Sequence, residues 1–354
     1  MDTEPIPAQS LARPYHLASN DFERAYKDHL SGFRPWELTD EGLRATEYML
    51  FPANIGPNLS VDETSLSNGG LYTIVSNKDA HGKNGALVAM VKGTKAEDVA
   101  ACIKRIPLYE REKALEITMD FSDSMHAIVQ ECFPNAMITL DRFHMQKLAI
   151  DALQELRIRY RREALKADVE ARQQHKMRNK RNKANRKKGK KDPRGRKPNR
   201  ANEQYHPMVL ENGDTVLELL ARSRYLLSTS ADKWSADQHV RARILFELFP
   251  ELRTAYGIVQ SLRNIFSKKD HTRESAKAAL AMWYNKVTDF DNDAFNTVSA
   301  TIYSREDEIL NFFTNRATNA SAESLNSKIK SFRSQLRGVS DVRFFLYRLK
   351  LIFG

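Results

Sequence analysis

The sequence predicts a mixed α/β chain, with a strand-rich stretch at residues 58–144 and a helical remainder running to residue 354. Three observations predict it. Short apolar or β-branched runs recur between Leu59 and Asp141, set apart by Gly, Pro and Asn. Beyond Asp141 the apolar residues change to helical spacing. Hydrophobic residues make up 41% of the chain, which suffices for a packed core and excludes disorder as its general state.

The elements follow in order. Phe33 to Met49 predicts one short helix in a region punctuated by Pro35, Pro52 and Pro57. Leu59-Ser-Val-Asp-Glu63 is a first strand. Leu71-Tyr-Thr-Ile-Val75, entered from the Gly69-Gly70 turn, is a second, and Ala86–Val91, entered from the turn-rich Asp79–Gly85, a third. Three strands in quick succession make an antiparallel meander. A helix starts at Thr94, where Glu97 three residues on completes a capping box. Its apolar positions are Val99, Cys102, Ile103 and Ile106, and Pro107 ends it. Ala114–Asp120 is a fourth strand. Ser122 or Asp123 caps the next helix, which carries Ile128, Val129 and Cys132 and closes at Pro134. Ala136–Asp141 is a fifth strand. The order β-β-β-α-β-α-β is that of an RNase H-like fold, although other α/β sheets share the alternation. Residues 143–171 predict a long amphipathic helix. Further helices are expected near 215–228, 234–248, 251–266, 274–287, 295–313, 319–334 and 339–352.

Charge is concentrated. Residues 172–200 hold 15 Lys or Arg and one acid, so this segment alone carries +14 and the rest of the chain −3 of the net +11. A near-neutral body with one basic segment suits a polyanion, because each neutralised phosphate releases a counterion. Gly189, Pro193, Gly195 and Pro198 within it predict disorder over residues 172–207. Arg181, Lys183, Arg186, Lys187, Lys188, Lys190 and Lys191 are its expected phosphate contacts. A flexible solvated loop is the plainer alternative. Only two cysteines occur, Cys102 and Cys132, each in an apolar helical context, which excludes a disulfide framework and a cysteine zinc site. No window approaches the roughly 20 apolar residues of a membrane span. Met1 to Arg13 carries two acids and no apolar run, unlike a secretory signal.

Three carboxylates stand where a metal site is expected. Asp62 lies on the first strand and Asp120 at the end of the fourth, and these strands are neighbours in an RNase H-like sheet. The third comes from a helix: Asn319, Glu323, Asn326 and Lys330 form one polar stripe, with Leu325, Ile329 and Phe332 on the opposite side. Cleavage of a phosphodiester needs an activated oxygen nucleophile and charge relief on the leaving oxygen. Two Mg²⁺ or Mn²⁺ ions roughly 3.5–4 Å apart supply both, and hard, anionic oxygens hold them. Glu63 alternates to the other strand face and stays outside the set. Asp141 and His144, three residues apart, form a second cluster, for which a helix cap with a structural histidine is the ordinary explanation.

These residues resemble a family. Val61-Asp-Glu-Thr-Ser65 with Leu71–Val75, Met119-Asp-Phe-Ser-Asp-Ser124 through Phe133-Pro-Asn-Ala136 to Leu140-Asp-Arg-Phe-His144, and Asn319–Lys330 occur in the order found in the ISL-three family of bacterial insertion-sequence transposases, relatives of the Mutator-like transposases. The resemblance covers about residues 58–350. It implies a DDE-type transposase that cuts at the ends of its element and joins the freed 3′-hydroxyl to target DNA. Asp62, Asp120 and Glu323 match the catalytic, metal-holding acids. Asp141 and His144 match a downstream Asp-x-x-His element; Asp141 is the alternative second acid, and the strand order favours Asp120. Asn319 and Asn326 are auxiliary, and Arg316, Lys328 and Lys330 are expected on the DNA backbone.

The resemblance implies an organisation as well. A short segment, 1–57, precedes a core at 58–144. A large all-helical insertion, 145–315, separates it from residues 316–354, which complete the core. Double-stranded DNA, as element ends and target, is the expected partner. A homo-oligomer and a bacterial cytoplasmic, nucleoid-associated location are expected by the same resemblance. Family members usually begin with a cysteine-bearing zinc segment and a helix-turn-helix. This chain has neither before Asp62, so either a separate protein supplies end recognition or the chain is inactive alone. Two alternatives stand beside the transposase: a catalytically inactive or domesticated DNA-binding relative, and a different RNase H-like nuclease.

Overall fold

The computed structural model describes residues 1–66, 70–188, 204–336, 339 and 341–354. The chain forms two compact units. The first comprises Met1–Met145, Thr272–Ala276 and Arg305–Gly354; the second comprises Gln146–His271 and Lys277–Ser304. No helix among the described residues is long and apolar enough to cross a membrane.

The first unit is built on six strands: β1 (Tyr48–Leu50), β2 (Asn58–Ser65), β3 (Leu71–Asn77), β4 (Leu87–Lys92), β5 (Glu116–Met119) and β6 (Met137–Leu140). Their spatial order is β1-β4-β3-β2-β5-β6. The β2–β3 and β3–β4 pairs are antiparallel, as the closely spaced runs predict. The β2–β5 and β5–β6 pairs are parallel. Parallel neighbours need a crossover, and the two longer helices of this stretch serve as such: α1 (Ala96–Ile103) before β5 and α2 (Asp123–Cys132) before β6. Strand β4 is buried along nearly its whole length, which is why it reads as a continuous apolar run and not as an alternation.

The sheet is covered by elements distant in sequence. Tyr72, Ile74, Leu87 and Met90 pack with Leu325, Ile329 and Phe332 of α9 (Ala320–Gln335) and with Phe345, Leu349 and Ile352 of α10 (Val342–Phe353). Phe33 and Trp36 of the N-terminal region complete this core, their rings tilted against that of Tyr347. The pairing slips between Ser76↔Leu87 and Val75↔Ala89, leaving Val88 as an extra residue. That bulge shifts the alternation by one, so Leu87 and Met90, three apart, share a cluster.

Four local expectations change. The single helix expected over 33–49 is two short helices, Phe33–Trp36 and Asp40–Arg44, followed by β1, whose pairing with β4 overrides local propensity. The capping box at Thr94 is absent: α1 begins after Lys95 without a side-chain cap, and Glu97 pairs with Lys95 at 2.8 Å instead. Ser122 does cap α2, accepting from the Met125 N–H. The helix expected over 295–313 breaks at Arg305, whose backbone leaves helical geometry while its guanidinium holds Asp123 and Glu308.

The fourth change is the largest. Helix α3 runs from Arg142 to Lys188, beyond residue 171 where disorder was expected to follow. Residues 172–188 contain neither Gly nor Pro and are rich in Lys, Arg and Gln, all good helix formers. Tyr205 packs back on this helix, its hydroxyl donating to Asp168 at 2.9 Å. Residues 189–203 of the expected disordered segment lie outside the described residues.

The second unit is helical. It takes in most of α3, then α4 (Val216–Ser228), α5 (Ala236–Leu248), α6 (Pro250–Ser267), most of α7 (Arg273–Phe290) and α8 (Asp293–Ser304). Its core includes Leu220, Leu227, Leu262, Phe266, Trp283 and Phe295. Full capping boxes at Thr215/Glu218 and Ser235/Gln238 start α4 and α5.

Candidate metal centre

Strand register gathers the acids. In the parallel β2–β5 pair Ser60 lies opposite Thr118, so two residues further on Asp62 stands level with Asp120. In β5–β6 Met119 lies opposite Leu140, so the next residues, Asp120 and Asp141, are also level. Register therefore sets Asp62, within β2, level with Asp120 and Asp141, which directly follow β5 and β6. The backbone N–H of Asp141 bonds Met119 O at 2.9 Å and fixes this step.

His144 joins them from the first turn of α3. Its Nδ1 lies 3.0 Å from Asp120 Oδ1 and 3.4 Å from Asp141 Oδ2. Asp141 is 1% exposed and also accepts the Phe143 N–H, which makes it the cap of α3 as well as a site residue. The carboxylates of Asp120 and Asp141 and the imidazole of His144 present one ligand atom each, all within 4.8 Å of one another. Hydrogen bonds to Asp120, then to Asp141, push the His144 pKa up to about 10. Burial, followed by the charge of Asp120, pushes Asp62 up to about 6 against the opposing pull of the Glu63 N–H, Asn326 and His144.

Helix α9 supplies the roof. Asn326 Nδ2 donates to Asp62 Oδ2 at 2.5 Å, and Asn319 Nδ2 to Asp120 Oδ1 at 3.3 Å. Both asparagines are buried, and the Oδ1 of each has no hydrogen-bond partner. Two orphaned carbonyl oxygens beside three carboxylates form an oxygen-rich donor set, which fits a hard divalent cation. Glu323 lies between them, one turn from each. It is exposed, and its carboxylate makes no hydrogen bond or ion pair among the described residues.

The structure thus brings together Asp62, Asp120, Asp141, His144, Asn319 and Asn326. Glu323 is adjacent on the same helix but outside the hydrogen-bonded set. Lys328 donates to Gly82 O at 2.7 Å, Lys330 is exposed, and Arg316 lies over the rings of Phe312 and Phe313. Arg181 is exposed on α3. Lys183, Arg186, Lys187 and Lys188 fall in the last turns of that helix, and Lys190 and Lys191 lie outside the described residues.

Two features escaped the sequence reading. Glu63 alternates away from Asp62, yet its carboxyl is raised by burial and by the charge of Asp120, so it still feels the site. Below the acids on β5, Glu116 is buried beside Lys78, with Nζ at 3.8 Å from Oε1 and donating to Thr118 Oγ1 at 2.7 Å. The i, i+2, i+4 parity of Glu116, Thr118 and Asp120 was the available signal. The asparagine Asn315 also donates to Glu116.

A family model described as Transposase, that of the ISL-three group, matches residues 59–349. No curated protein and no solved structure gives a match. The matched span begins within β2 and reaches into α10, so it takes in every side chain of the centre. The chain belongs to the ISL-three family of transposases.

Proposed function

We propose that this chain is a metal-dependent DNA transposase with an RNase H-like core of the DDE type. The observation that carries the reading is the level placement of Asp62, Asp120 and Asp141 on three adjacent strands, roofed by Asn319 and Asn326. Apart from the added antiparallel edge strand β1, the strand order, with three antiparallel strands followed by two parallel ones, supports the fold assignment. The core is read as residues 58–144 with 316–354, carrying 145–315 as a helical insertion and preceded by the short segment 1–57.

Asp62, Asp120 and Glu323 are the residues read as holding two Mg²⁺ or Mn²⁺ ions. Bound there, such ions lower the pKa of water and neutralise charge on the leaving oxygen. The remaining roles belong to the chain. Asn326 and the Glu63 N–H each hold one oxygen of Asp62, and Asn319 and His144 share Asp120 Oδ1, which leaves Asp120 Oδ2 to turn toward a cation. Imidazolium His144, a hydrogen-bond donor, tethers Asp120 to Asp141. In the reaction, a water oxygen attacks phosphorus at the element boundary and the 3′-oxygen leaves. That 3′-hydroxyl then attacks a phosphodiester of the target, displacing its 3′-oxygen. The partner is double-stranded DNA; a homo-oligomer bridging two ends, an end-recognition protein and a nucleoid location belong to the same proposal.

A second reading takes Asp141 as the partner acid of Asp120. It is supported by their ligand atoms and that of His144 falling within 4.8 Å. Purified protein incubated with linear DNA carrying the element's ends and Mg²⁺ or Mn²⁺, beside Asp120→Asn and Asp141→Asn, separates the two. Boundary nicking lost in Asp120→Asn and only weakened in Asp141→Asn supports the first. Equal loss in both supports the second. No cleavage by the wild type, with DNA still bound and the neighbouring gene product supplied, would refute catalysis altogether.

A further inference from the structure

The helical unit holds an open cleft of about 1220 Å³, walled by α3, α4 and the start of α8. Five arginines line it: Arg157, Arg159, Arg161 and Arg162 of α3 and Arg224 of α4. Arg157 and Arg161 are one helical turn apart and face the same way. Gln154 Nε2 donates to Arg224 O at 2.9 Å and pins α4 beside them.

Arg157 is 6% exposed, an unusual place for a charge. Its Nε donates to Gln154 Oε1 at 2.7 Å and its Nη1 to Leu220 O at 2.8 Å. Neither partner is anionic, and Nη2 makes no hydrogen bond among the described residues. Burial, and then the like charges of Arg161 and Arg224, draw its pKa below the usual arginine range. Arg159 is taken by Glu251 at 2.7 Å. Asp151, Glu155, Glu163 and Asp293 also line the cleft, but among the described residues none forms an ion pair with its arginines. A buried guanidinium facing two like charges without a counter-anion is costly. Several guanidinium forks converging on one opening suit phosphate oxygens.

We propose that Arg157, Arg161 and Arg224 form a phosphate-binding cleft that holds the sugar-phosphate backbone of DNA. The choice of a DNA backbone over a free phosphate rests on the transposase reading. The cleft's size supports it, since Arg162 extends the cationic row past what one small anion can occupy.

The test uses the full chain and a fluorescent duplex of roughly 30 bp, with binding followed by anisotropy between about 50 and 200 mM salt. Arg161→Ala with Arg224→Ala removes two exposed charges and leaves buried Arg157 in place. Lys233→Ala with Arg253→Ala removes two exposed charges outside the cleft. The expected result is about tenfold weaker binding by the cleft variant near 100 mM salt, with a salt slope smaller by about 2. The control pair should keep the wild-type slope. An unchanged slope in the cleft variant, or an equal drop in the control, overturns the proposal. Thermal stabilisation by inorganic phosphate, abolished in the cleft variant whose DNA slope is unchanged, reassigns the cleft to a free phosphoryl ligand and likewise overturns it. End cleavage measured in parallel keeps the two readings apart. A wild type that cleaves while the cleft variant keeps its slope refutes the cleft alone. A wild type that never cleaves, with the slope lost in the variant, refutes the catalytic reading alone.

Discussion

Asn326 donates its side-chain amide to Asp62 across 264 residues of sequence, tying the helix that closes the sheet to the strand that opens it. The bond fixes the carboxylate's rotamer and leaves Asn326 Oδ1 unpartnered inside the centre. Replacing Asn326 with Ala removes a hydrogen bond to a buried carboxylate. We expect a loss of about 1–3 kcal/mol of stability in urea unfolding and about 10–100-fold in end cleavage. Full activity in Asn326→Ala would remove the asparagine from any positioning role.

Asp120 is the acid placed to serve most partners, touching His144 and Asn319 and standing level with both Asp62 and Asp141. Asp120→Asn is expected to reduce cleavage on the order of 10³-fold or more, as for removal of a group acting directly on transition-state charge. Asp141→Asn should cost about 10–100-fold, the range for a residue acting through its neighbours. Denaturing gels of single-turnover reactions measure both.

Asp62 gives a pH prediction in the metal-free protein. Its folded-state pKa, about 6, lies above the ordinary 3.8, so folding favours the neutral carboxyl. The associated stability is fully present below about pH 4 and is lost as pH rises through about 6. Asp62→Asn abolishes the ionisation, and an amide flip lets Asn326 Oδ1 accept from the new side chain. The variant should melt roughly 2–5 °C above the wild type at pH 8 and close to it at pH 4. Mg²⁺ should narrow the gap at pH 8 by stabilising only the wild type. A variant that melts lower at pH 8 contradicts the assignment of an ionisation penalty to this carboxyl.

Lys78 and Glu116 form a pair beneath the acids, with Glu116 5% exposed. Lys78→Met leaves that carboxylate buried without its cation and should cost about 3–5 kcal/mol. The double variant Lys78→Met, Glu116→Leu should recover most of the loss in chemical denaturation, because the uncompensated charge is gone. Failure of the double to recover would place the cost in packing and not in charge.

The meander and the two crossovers were legible in the sequence, because β-branched runs and turn residues agree there with the final register. The edge strand β1 was not, since Tyr48–Leu50 is extended only through its pairing with Val91–Ala89. The reach of α3 was misjudged because charge density was read as disorder, although the glycines and prolines that break a helix begin only at Gly189. In the centre, the polar stripe of α9 was visible from its spacing, but which members turn inward was not. Spacing gives a face, whereas the depth of Asn319 and Asn326 and the exposure of Glu323 follow from how the helix seats on the sheet. His144 and Asp141 fit a helix cap as well as a ligand pair, and Asp141 is both.

The tie between β2 and α9 also has a consequence for biosynthesis. The ribosome makes Asp62, Asp120 and Asp141 early, but the helix that roofs them follows 185 residues after Asp141, at Asn326. At 5–20 residues per second that is an interval of roughly 10–40 s. During it the sheet face later covered by Leu325, Ile329 and Phe332 lacks that part of its cover. Chains stalled before residue 320 should present that face to proteases and chaperones, and finished chains should not. Chain completion thus acts as a timer: the roofed centre forms only once α9 has been made.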